Sequence, residues 1–271
     1  MSDRRLTAAN GRVAARHLAG QIVAERYVAG APAMVAAPLV ELCASPDGPR
    51  DRQLLLGAEV TVFEDRAGWS FAQAADGYVG YLRSDMLTEV AAPSHFVGSV
   101  ATHAYTDADF KSPDLHYLSF GARVTVLDER HKFFETNVGF VPKSHLRGLE
   151  RPFSDPATVA QLHFGVPYLW GGNSTLGIDC SGLIAAALRA CDIACPADSD
   201  MQQQVLGRPF EGEYERGDLL FWKGHVGMMV DPETLIHANA HHMATAYEPI
   251  ERAILRIAAQ GDGPVIARRR L

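Results

Sequence analysis

A repeated pattern in the first half of the chain constrains its fold more than any other feature. The segment at 54–82, LLLGAEVTVFEDRAGWSFAQAADGYVGYL, aligns with the segment at 118–141, LSFGARVTVLDERHKFFETNVGFV. Each segment opens on a Gly-Ala-x-Val-Thr-Val block and closes on a glycine followed by an aromatic and an aliphatic residue. A unit that occurs twice in tandem predicts two copies of one small domain.

Each copy of the repeat predicts short antiparallel strands. Val60 and Val62 alternate with polar neighbours, and turn residues such as the Asp-Gly pair at 76–77 separate the strands. Strands at this spacing are typical of a barrel of roughly 50 to 60 residues. We therefore expect one small β-barrel at 31–90 and a second at 91–150.

The segments on either side of the two barrels differ from them in pattern. Residues 1–30 carry a rough apolar stripe that includes Val13, Leu18 and Ile22, which predicts an N-terminal helical segment. Residues 151–271 contain helix-like runs followed by strand-like runs. Helices followed by antiparallel strands predict an α+β domain.

The charge and the apolar runs limit the partners of the chain. The formal net charge is -7, from 25 basic and 32 acidic residues, so no positive surface is available for nucleic acid or anionic lipid. No apolar run is long enough to span a bilayer, and charged residues interrupt the segment at 1–30, which therefore does not resemble a secretion signal. We expect a cytoplasmic protein with no nucleic acid and no membrane partner.

The chain has four cysteines: Cys43, Cys180, Cys191 and Cys195. They are too few and too unevenly spaced for a disulfide framework. The spacing of Cys191 and Cys195 does not match that of zinc ligands, and no second pair of ligands follows at a suitable distance. We therefore expect no metal and no cofactor.

Cys180 precedes the apolar run SGLIAAALRACDI, which predicts a buried helix with this cysteine in its first turn. The backbone N–H groups at a helix N-terminus favour a thiolate, so we expect the pKa of Cys180 to lie below the free value of about 8.5. Gly177 and Gly182 leave space for another chain near the sulfur. The alternative is a packing cysteine, because cysteine is among the residues most often buried.

Two histidines downstream are suited to act with a thiolate. His225 begins one apolar strand-like run and His237 lies in the next, with a turn at 231–232 between them. Adjacent antiparallel strands would bring both side chains to one face. A nucleophilic thiol needs an imidazole as base, and a third group to orient that imidazole. A lone histidine in a strand is more often structural, so the prediction depends on the three residues together.

Four separated motifs resemble those of the NlpC/P60 family of cysteine peptidases. The motifs are YLWGGNS at 168–174, DCSGL at 179–183, RGDLLFW with HVGMMV within 216–230, and LIHANA at 235–240. The resemblance implies a papain-like catalytic domain at 151–271. The repeats at 31–90 and 91–150 are similar to bacterial SH3 domains, which occur in front of such catalytic domains.

The resemblance implies a role for each matching residue. Cys180 would be the nucleophile, His225 the general base and acid, and His237 the residue that orients His225. The implied substrate-binding residues are Tyr168, Trp170, Asp179 and Ser181 in the catalytic domain, and Tyr81 (or Tyr78) and Asp51 in the first barrel.

These residues also have structural interpretations, and the sequence departs from the family pattern at one position. Tyr168 and Trp170 would serve equally as core aromatics, and Asp179 as a helix cap. Ala197 stands where similar proteins often carry an arginine. This difference leaves open how that loop is anchored, but it does not affect the predicted triad.

The implied reaction is hydrolysis of the γ-D-glutamyl to diamino-acid bond in free murein stem peptides that begin with L-Ala, as in cell-wall peptide recycling. Three alternatives stay open: an exported D,L-endopeptidase that cuts intact peptidoglycan, a thiol acyltransferase or amidase on the same fold, and a binding module with an inert third domain. The sequence does not distinguish lysine from diaminopimelate, or tripeptides from tetrapeptides. The oligomeric state also stays open.

Overall fold

The computed structural model describes residues 3–271; Met1 and Ser2, at the start of the predicted helical segment, lie outside the described residues. The chain divides into two compact units, Met1–Leu149 and Glu150–Leu271. Each unit has its own sheets and its own core.

The prediction of a helix over 1–30 is wrong for the described part of that segment. Two 3-10 turns, Arg4–Leu6 and Arg16–Leu18, accompany two short parallel strands, β1 (Val13–Ala15) and β2 (Arg26–Val28).

Burial explains why this segment does not form a helix. All three residues of β1 are buried, and Val13 packs in a cluster with Phe63 and Phe71 of the following sheet. Glu64 holds the same segment through hydrogen bonds from Arg12 and from Asn10, the latter at 3.0 Å. Apolar positions in this segment therefore serve a strand that packs on the neighbouring sheet, and not one face of a helix.

The first repeat lies in a seven-stranded sheet of order β5-β4-β8-β7-β6-β3-β9. Its strands are β3 (Ala31–Val35), β4 (Leu39–Cys43), β5 (Arg50–Leu55), β6 (Glu59–Arg66), β7 (Trp69–Ala74), β8 (Val79–Arg83) and β9 (Leu87–Thr88). The turn Ser84–Met86 precedes β9. The pairs of this sheet are antiparallel, as the alternating pattern predicts.

The second repeat forms two sheets, of orders β13-β10-β17 and β12-β11-β16-β15-β14. Its strands are β10 (His95–Val97), β11 (Ala101–Tyr105), β12 (Asp114–Ser119), β13 (Arg123–Val124), β14 (Val126–Arg130), β15 (Phe133–Thr136), β16 (Gly139–Pro142) and β17 (Leu146–Gly148). The turn Lys143–His145 precedes β17.

The two repeats share one contact built from the Gly-Ala block of the first. Gly57 has a φ of 76°, and a Cβ at this position would lie 2.6 Å from the carbonyl oxygen of Arg123. The N–H of Arg123 donates to the carbonyl of Leu56 at 2.9 Å, and the Leu56 side chain enters the core of the second repeat. Only glycine fits at residue 57, because the backbone of the second repeat lies against it.

The second unit contains four helices, α1 (Pro156–Leu162), α2 (Cys180–Ala190), α3 (Ser199–Val205) and α4 (Ile250–Gln260). Its strands are β18 (Asn173–Ser174), β19 (Gly177–Ile178), β20 (Arg208–Pro209), β21 (Leu219–Trp222), β22 (His225–Met229), β23 (Thr234–Asn239), β24 (Ala244–Pro249) and β25 (Ala267–Arg270). β18 pairs with β19, and the other six form a sheet of order β20-β25-β21-β22-β23-β24.

The sheet of the second unit contacts helices that position the candidate site. α2 packs on α1 and against β22 and β23, while α4 contributes Ile250, Ala253 and Ile257 to a core with Trp222 and Leu235. Among the described residues, no helix has the length and apolarity needed to cross a bilayer. The mixture of helices and antiparallel strands agrees with the predicted α+β class.

Candidate active site

Cys180 is the first residue of α2, and Asp179 caps that helix. The Asp179 carboxylate accepts hydrogen bonds from the N–H of Gly182 at 2.7 Å, the N–H of Gly171 at 2.8 Å and the hydroxyl of Ser181 at 2.9 Å. These bonds fit the capping interpretation of Asp179, and they also bring the YLWGGNS and DCSGL motifs together. Contacts of Asp179 and Ser181 with a substrate stay a prediction.

The two histidines lie on neighbouring strands of the same sheet. β22 and β23 are antiparallel, with Met228 opposite Ile236, and His225 and His237 reach each other from these strands. The Nε2 atom of His225 lies 2.9 Å from the Nδ1 atom of His237. Both imidazoles therefore face one side of the sheet, as the spacing of the two residues predicts.

The sulfur of Cys180 lies beside the first residues of β22. Its Sγ atom is 4.0 Å from the carbonyl oxygen of Gly224, and the backbone N–H of Val226 bonds to the same sulfur. Gly224 and Val226 flank His225 in the chain. The structure thus brings the three residues of the predicted triad into one cluster, in which Cys180 and His237 are buried and His225 is half-buried.

The ionisation of the thiol differs from the sequence prediction. Burial, followed by the negative charge of Asp179, raises the pKa of Cys180 to about 12. The backbone N–H groups of Val226, Ser181 and Cys180 itself act in the predicted direction, but their effect is smaller. The pKa is therefore not lowered as expected at a helix N-terminus. Burial destabilises the thiolate by more free energy than its hydrogen bonds with three N–H groups contribute.

The imidazole of His225 is neutral for the same physical reason. Burial lowers the pKa of His225 to about 3, and the positive charge of Arg256 acts in the same direction. The ring of Trp222 covers it, with centroids 5.7 Å apart. The raised pKa of Cys180 and the lowered pKa of His225 both favour the uncharged forms at neutral pH.

A hydrogen-bonded line extends beyond His237 to two residues that the sequence motifs do not include. His237 Nε2 lies 3.0 Å from Oε2 of Glu248 on β24. Arg256 on α4 donates to both oxygens of that carboxylate, from Nε at 2.9 Å and from Nη2 at 2.7 Å. The signal that could have found Glu248 is an acidic residue on a strand beside the histidine pair.

The predicted aromatic residues of the YLWGGNS motif differ in their surroundings. Tyr168 is half-buried; burial, with a smaller effect of the negative charge of Asp179, raises its pKa to about 12. Tyr168 pairs with Ile178, two residues before Cys180, and keeps its proton at neutral pH. Trp170 is 63% exposed, which excludes the core interpretation of this residue. Its contact with a substrate stays a prediction.

Gln202 anchors the loop that contains Ala197. Its side-chain amide donates to the carbonyl oxygens of Ser181 at 2.9 Å, Pro196 at 3.1 Å and Ala197 at 3.3 Å. The loop is therefore fixed to the start of α2 without an arginine at residue 197.

The two predicted residues of the first repeat, Tyr81 and Asp51, belong to the unit Met1–Leu149. Tyr81 lies on β8 with its ring 5.0 Å from that of Phe71. Asp51 lies on β5 and forms an ion pair with Arg4 at 2.9 Å. Arg4 already supplies a cation to this carboxylate. Contact of Tyr81 or Asp51 with a substrate amine stays a prediction.

One group of donor atoms in the described residues has the geometry of a metal site. Ligand atoms of His237, His242 and Glu248 lie within 4.8 Å of one another. Both ring nitrogens of His237 are already hydrogen-bonded, and Arg256 binds both oxygens of Glu248. A cation at this position would have to displace these bonds.

Comparison with known proteins identifies two regions of the chain. A model of the NlpC/P60 family matches residues 165–255, and a model of the bacterial dipeptidyl-peptidase SH3 domain matches residues 42–87. The first region contains the Cys180, His225 and His237 cluster, and the second covers most of the first repeat.

Two curated proteins and one solved structure are similar over most of the chain. Dipeptidyl-peptidase 6 of Lysinibacillus sphaericus is 26% identical, over 76% of this chain and 87% of that protein. The gamma-D-glutamyl-L-lysine dipeptidyl-peptidase of Bacillus subtilis (strain 168) is 27% identical, over 69% of this chain and 71% of that protein.

The crystal structure of an NlpC/P60 family protein from Bacillus cereus ATCC 10987 has the same fold. It superimposes with a TM-score of 0.75 at 20% identity, over 89% of this chain and 99% of that one. The cluster of Cys180, His225 and His237, the two matching family models and this shared fold agree with one another. Residues 165–255 therefore belong to an NlpC/P60 domain and residues 42–87 to a bacterial dipeptidyl-peptidase SH3 domain, and the chain is a cysteine peptidase.

Proposed function

We propose that this peptidase hydrolyses the γ-D-glutamyl to diamino-acid bond of free murein stem peptides that begin with L-Ala. The observation that carries the proposal is the cluster in which Cys180 Sγ lies beside the start of β22, while Nε2 of His225 lies 2.9 Å from Nδ1 of His237. The similarity to proteins named dipeptidyl-peptidases, one of them specific in name for gamma-D-glutamyl-L-lysine, supports the substrate class.

The acylation step uses Cys180 as nucleophile and His225 as base. As Sγ attacks the γ-carbonyl carbon of D-glutamate, the thiol proton passes to His225 and a C–S bond forms. The carbonyl oxygen becomes an oxyanion. When this intermediate collapses, His225 returns the proton to the amine nitrogen of the diamino acid, the C–N bond breaks, and a thioester remains on Cys180.

The deacylation step repeats the proton transfers with water. His225 takes a proton from a water molecule as the water oxygen attacks the thioester carbon. The C–S bond breaks, the sulfur receives the proton, and L-Ala-D-Glu is released. His237 keeps the ring of His225 in place through both steps.

Tyr168 and the N–H of Cys180 would stabilise the oxyanion. The pKa of Tyr168 is raised by burial and by the charge of Asp179, so its hydroxyl keeps the proton that it would donate. Donors fixed in place before reaction stabilise developing charge more than mobile water does.

The proposal includes two parts beyond the reaction. The second repeat, at 91–150, would be a second SH3-like domain, supported by its alignment with the first. The enzyme would act on turnover peptides in the cytoplasm. Fractionation of cells of the source organism tests the second part: recovery of the protein outside the cytoplasm would favour an enzyme of the intact wall.

The reaction is tested by mass spectrometry of products from a panel of stem peptides and from intact sacculi. We expect L-Ala-D-Glu and the free diamino acid, or its C-terminal extension, from tripeptides and tetrapeptides. We expect no product from Cys180→Ala. Faster release from sacculi than from free tripeptide would contradict the assignment, as would transfer of the acyl group to an added amine in place of water.

A further inference from the structure

The line of hydrogen bonds through the site ends in a charge pair. Glu248 is buried, and Arg256 is only 17% exposed and binds both carboxylate oxygens. The only other group on Glu248 Oε2 among the bonds described is His237 Nε2, at 3.0 Å. A carboxylate that faces a guanidinium and an imidazole in a buried position is held in one charge state and one orientation.

The charge state of Glu248 fixes where the proton lies on His237. An ionised carboxylate only accepts hydrogen bonds, so the proton of neutral His237 must lie on Nε2. The Nδ1 atom of His237 then carries a lone pair. It can only accept, and the atom opposite it, His225 Nε2, must be the donor.

The tautomer of His237 also fixes the tautomer of His225, the proposed base. With its proton on Nε2, neutral His225 carries its lone pair on Nδ1. This lone pair is the one available to take the thiol proton of Cys180. If the proton of His237 moved to Nδ1, His225 would have to accept at Nε2, and its own proton would move to Nδ1, where it would block proton transfer from the thiol.

We propose that Glu248, held by Arg256, is a positioning residue that fixes the tautomers of His237 and His225 and so leaves Nδ1 of His225 free to accept the proton of Cys180. The proposal extends the catalytic roles given under the proposed function and rests on them. Neither Glu248 nor Arg256 touches the substrate in this account.

The surroundings of Glu248 keep it ionised. Burial alone raises the pKa of a carboxyl group, but the hydrogen bonds from Arg256 and His237 outweigh this effect, and the pKa of Glu248 lies well below its usual value. Burial lowers the pKa of His237, against the opposing effect of Glu248. The pair is thus a carboxylate and a neutral imidazole, which is the state that the tautomer argument requires.

A double-mutant cycle separates positioning from simple packing. We expect Glu248→Gln to lower kcat by about 10- to 100-fold with little change in KM, the range found when the hydrogen-bond partner behind a metal-bound histidine is removed. In a His237→Asn background the effect should vanish, because an Asn carbonyl accepts from His225 without any tautomer to fix.

Glu251→Gln, on the exposed side of α4, is the matched control and should retain the parent kcat. An equal loss for Glu248→Gln in both backgrounds would overturn the proposal, since a structural role does not depend on the imidazole of His237.

The tautomers can be observed without any substrate. In full-length Cys180→Ala protein with ¹⁵N-labelled histidine, we expect NMR to show the protons of His225 and His237 on Nε2. A proton on Nδ1 of His237 would overturn the proposal even if Glu248→Gln fails to fold. Because this measurement needs no turnover, it stays decisive if the proposed substrate is wrong.

Removal of Arg256 gives a third readout. Without the guanidinium the pKa of Glu248 rises, and a protonated Glu248 can donate to His237 and reverse the tautomers. We therefore expect the acid limb of the kcat profile to move to higher pH in Arg256→Gln, while Arg252→Gln, which is exposed on the same helix, leaves it in place. An unchanged acid limb in Arg256→Gln would contradict the role of Arg256.

Discussion

Two influences of opposite sign act on the sulfur of Cys180. Burial and the carboxylate of Asp179 raise its pKa, while the N–H groups of Val226, Ser181 and Cys180 lower it. The first pair prevails, so the thiol is the favoured form at neutral pH. At the scale of single residues, the helix cap that builds the site also suppresses the thiolate.

Asp179→Asn tests this balance. Asparagine keeps an oxygen for the N–H of Gly182 and remains a good cap, but it removes the negative charge next to the sulfur and the oxygen that accepts from the N–H of Gly171. We expect the pKa of Cys180 to fall and its alkylation by iodoacetamide at neutral pH to become faster, by about tenfold for each pKa unit.

Peptide mapping after alkylation distinguishes Cys180 from the other three cysteines. The control is Asp155→Asn, which changes the cap of α1 in the same unit. An equal alkylation rate in the parent and in Asp179→Asn would show that the charge of Asp179 does not reach the thiol.

At the scale of elements, the histidine pair shows what the sequence could predict. The even spacing of His225 and His237 across a turn indicated one face of a hairpin, and β22 and β23 form that hairpin. The sequence did not predict the role of Glu248, because its position depends on the register between β23 and β24. The turn at 240–243 is compatible with several registers. No residue-type motif marks it.

Two further predictions from the sequence were wrong, one because an apolar run is short and one because burial depends on the fold. The helix predicted over 1–30 failed because Val13 to Ala15 is too short a run to distinguish a strand from a helix by its period. The prediction of a lowered pKa for Cys180 was wrong because the sequence does not show how deeply β22 buries the start of α2. Both depend on contacts between elements that are distant in sequence.

His163, at the end of α1, makes the stability of the folded chain depend on pH. Its side chain is 2% exposed, and burial lowers its pKa despite the bond between Nδ1 and the carbonyl of Val159 at 3.0 Å. The unfolded chain binds a proton here below about pH 6.5, whereas the folded chain does so only at lower pH. The stability from this residue is therefore complete above pH 6.5 and is lost as the pH falls.

We expect His163→Leu to reduce the difference in unfolding free energy between pH 7 and pH 5 by up to about 2 kcal/mol, whatever its stability at pH 7. Urea unfolding followed by tryptophan fluorescence measures this difference. His241→Leu, at an exposed position, should leave it unchanged. A full pH dependence in His163→Leu would show that His163 does not contribute to acid sensitivity.

At the scale of the whole molecule, two compact units carry different parts of the family signature. The SH3 match lies in Met1–Leu149 and the NlpC/P60 match in Glu150–Leu271. The second unit contains all the groups that the proposed reaction uses. The central claim is therefore that Cys180, within the full chain, attacks the γ-carbonyl of D-glutamate.

The most direct test traps the acyl-enzyme. The full chain is mixed with L-Ala-γ-D-Glu-L-Lys, and with the diaminopimelate peptide, then quenched in acid within the first turnover and analysed by intact mass and peptide mapping. We expect one L-Ala-γ-D-Glu acyl group on Cys180, absent in Cys180→Ala. An acyl group on another residue, or hydrolysis that continues in Cys180→Ala, would contradict it.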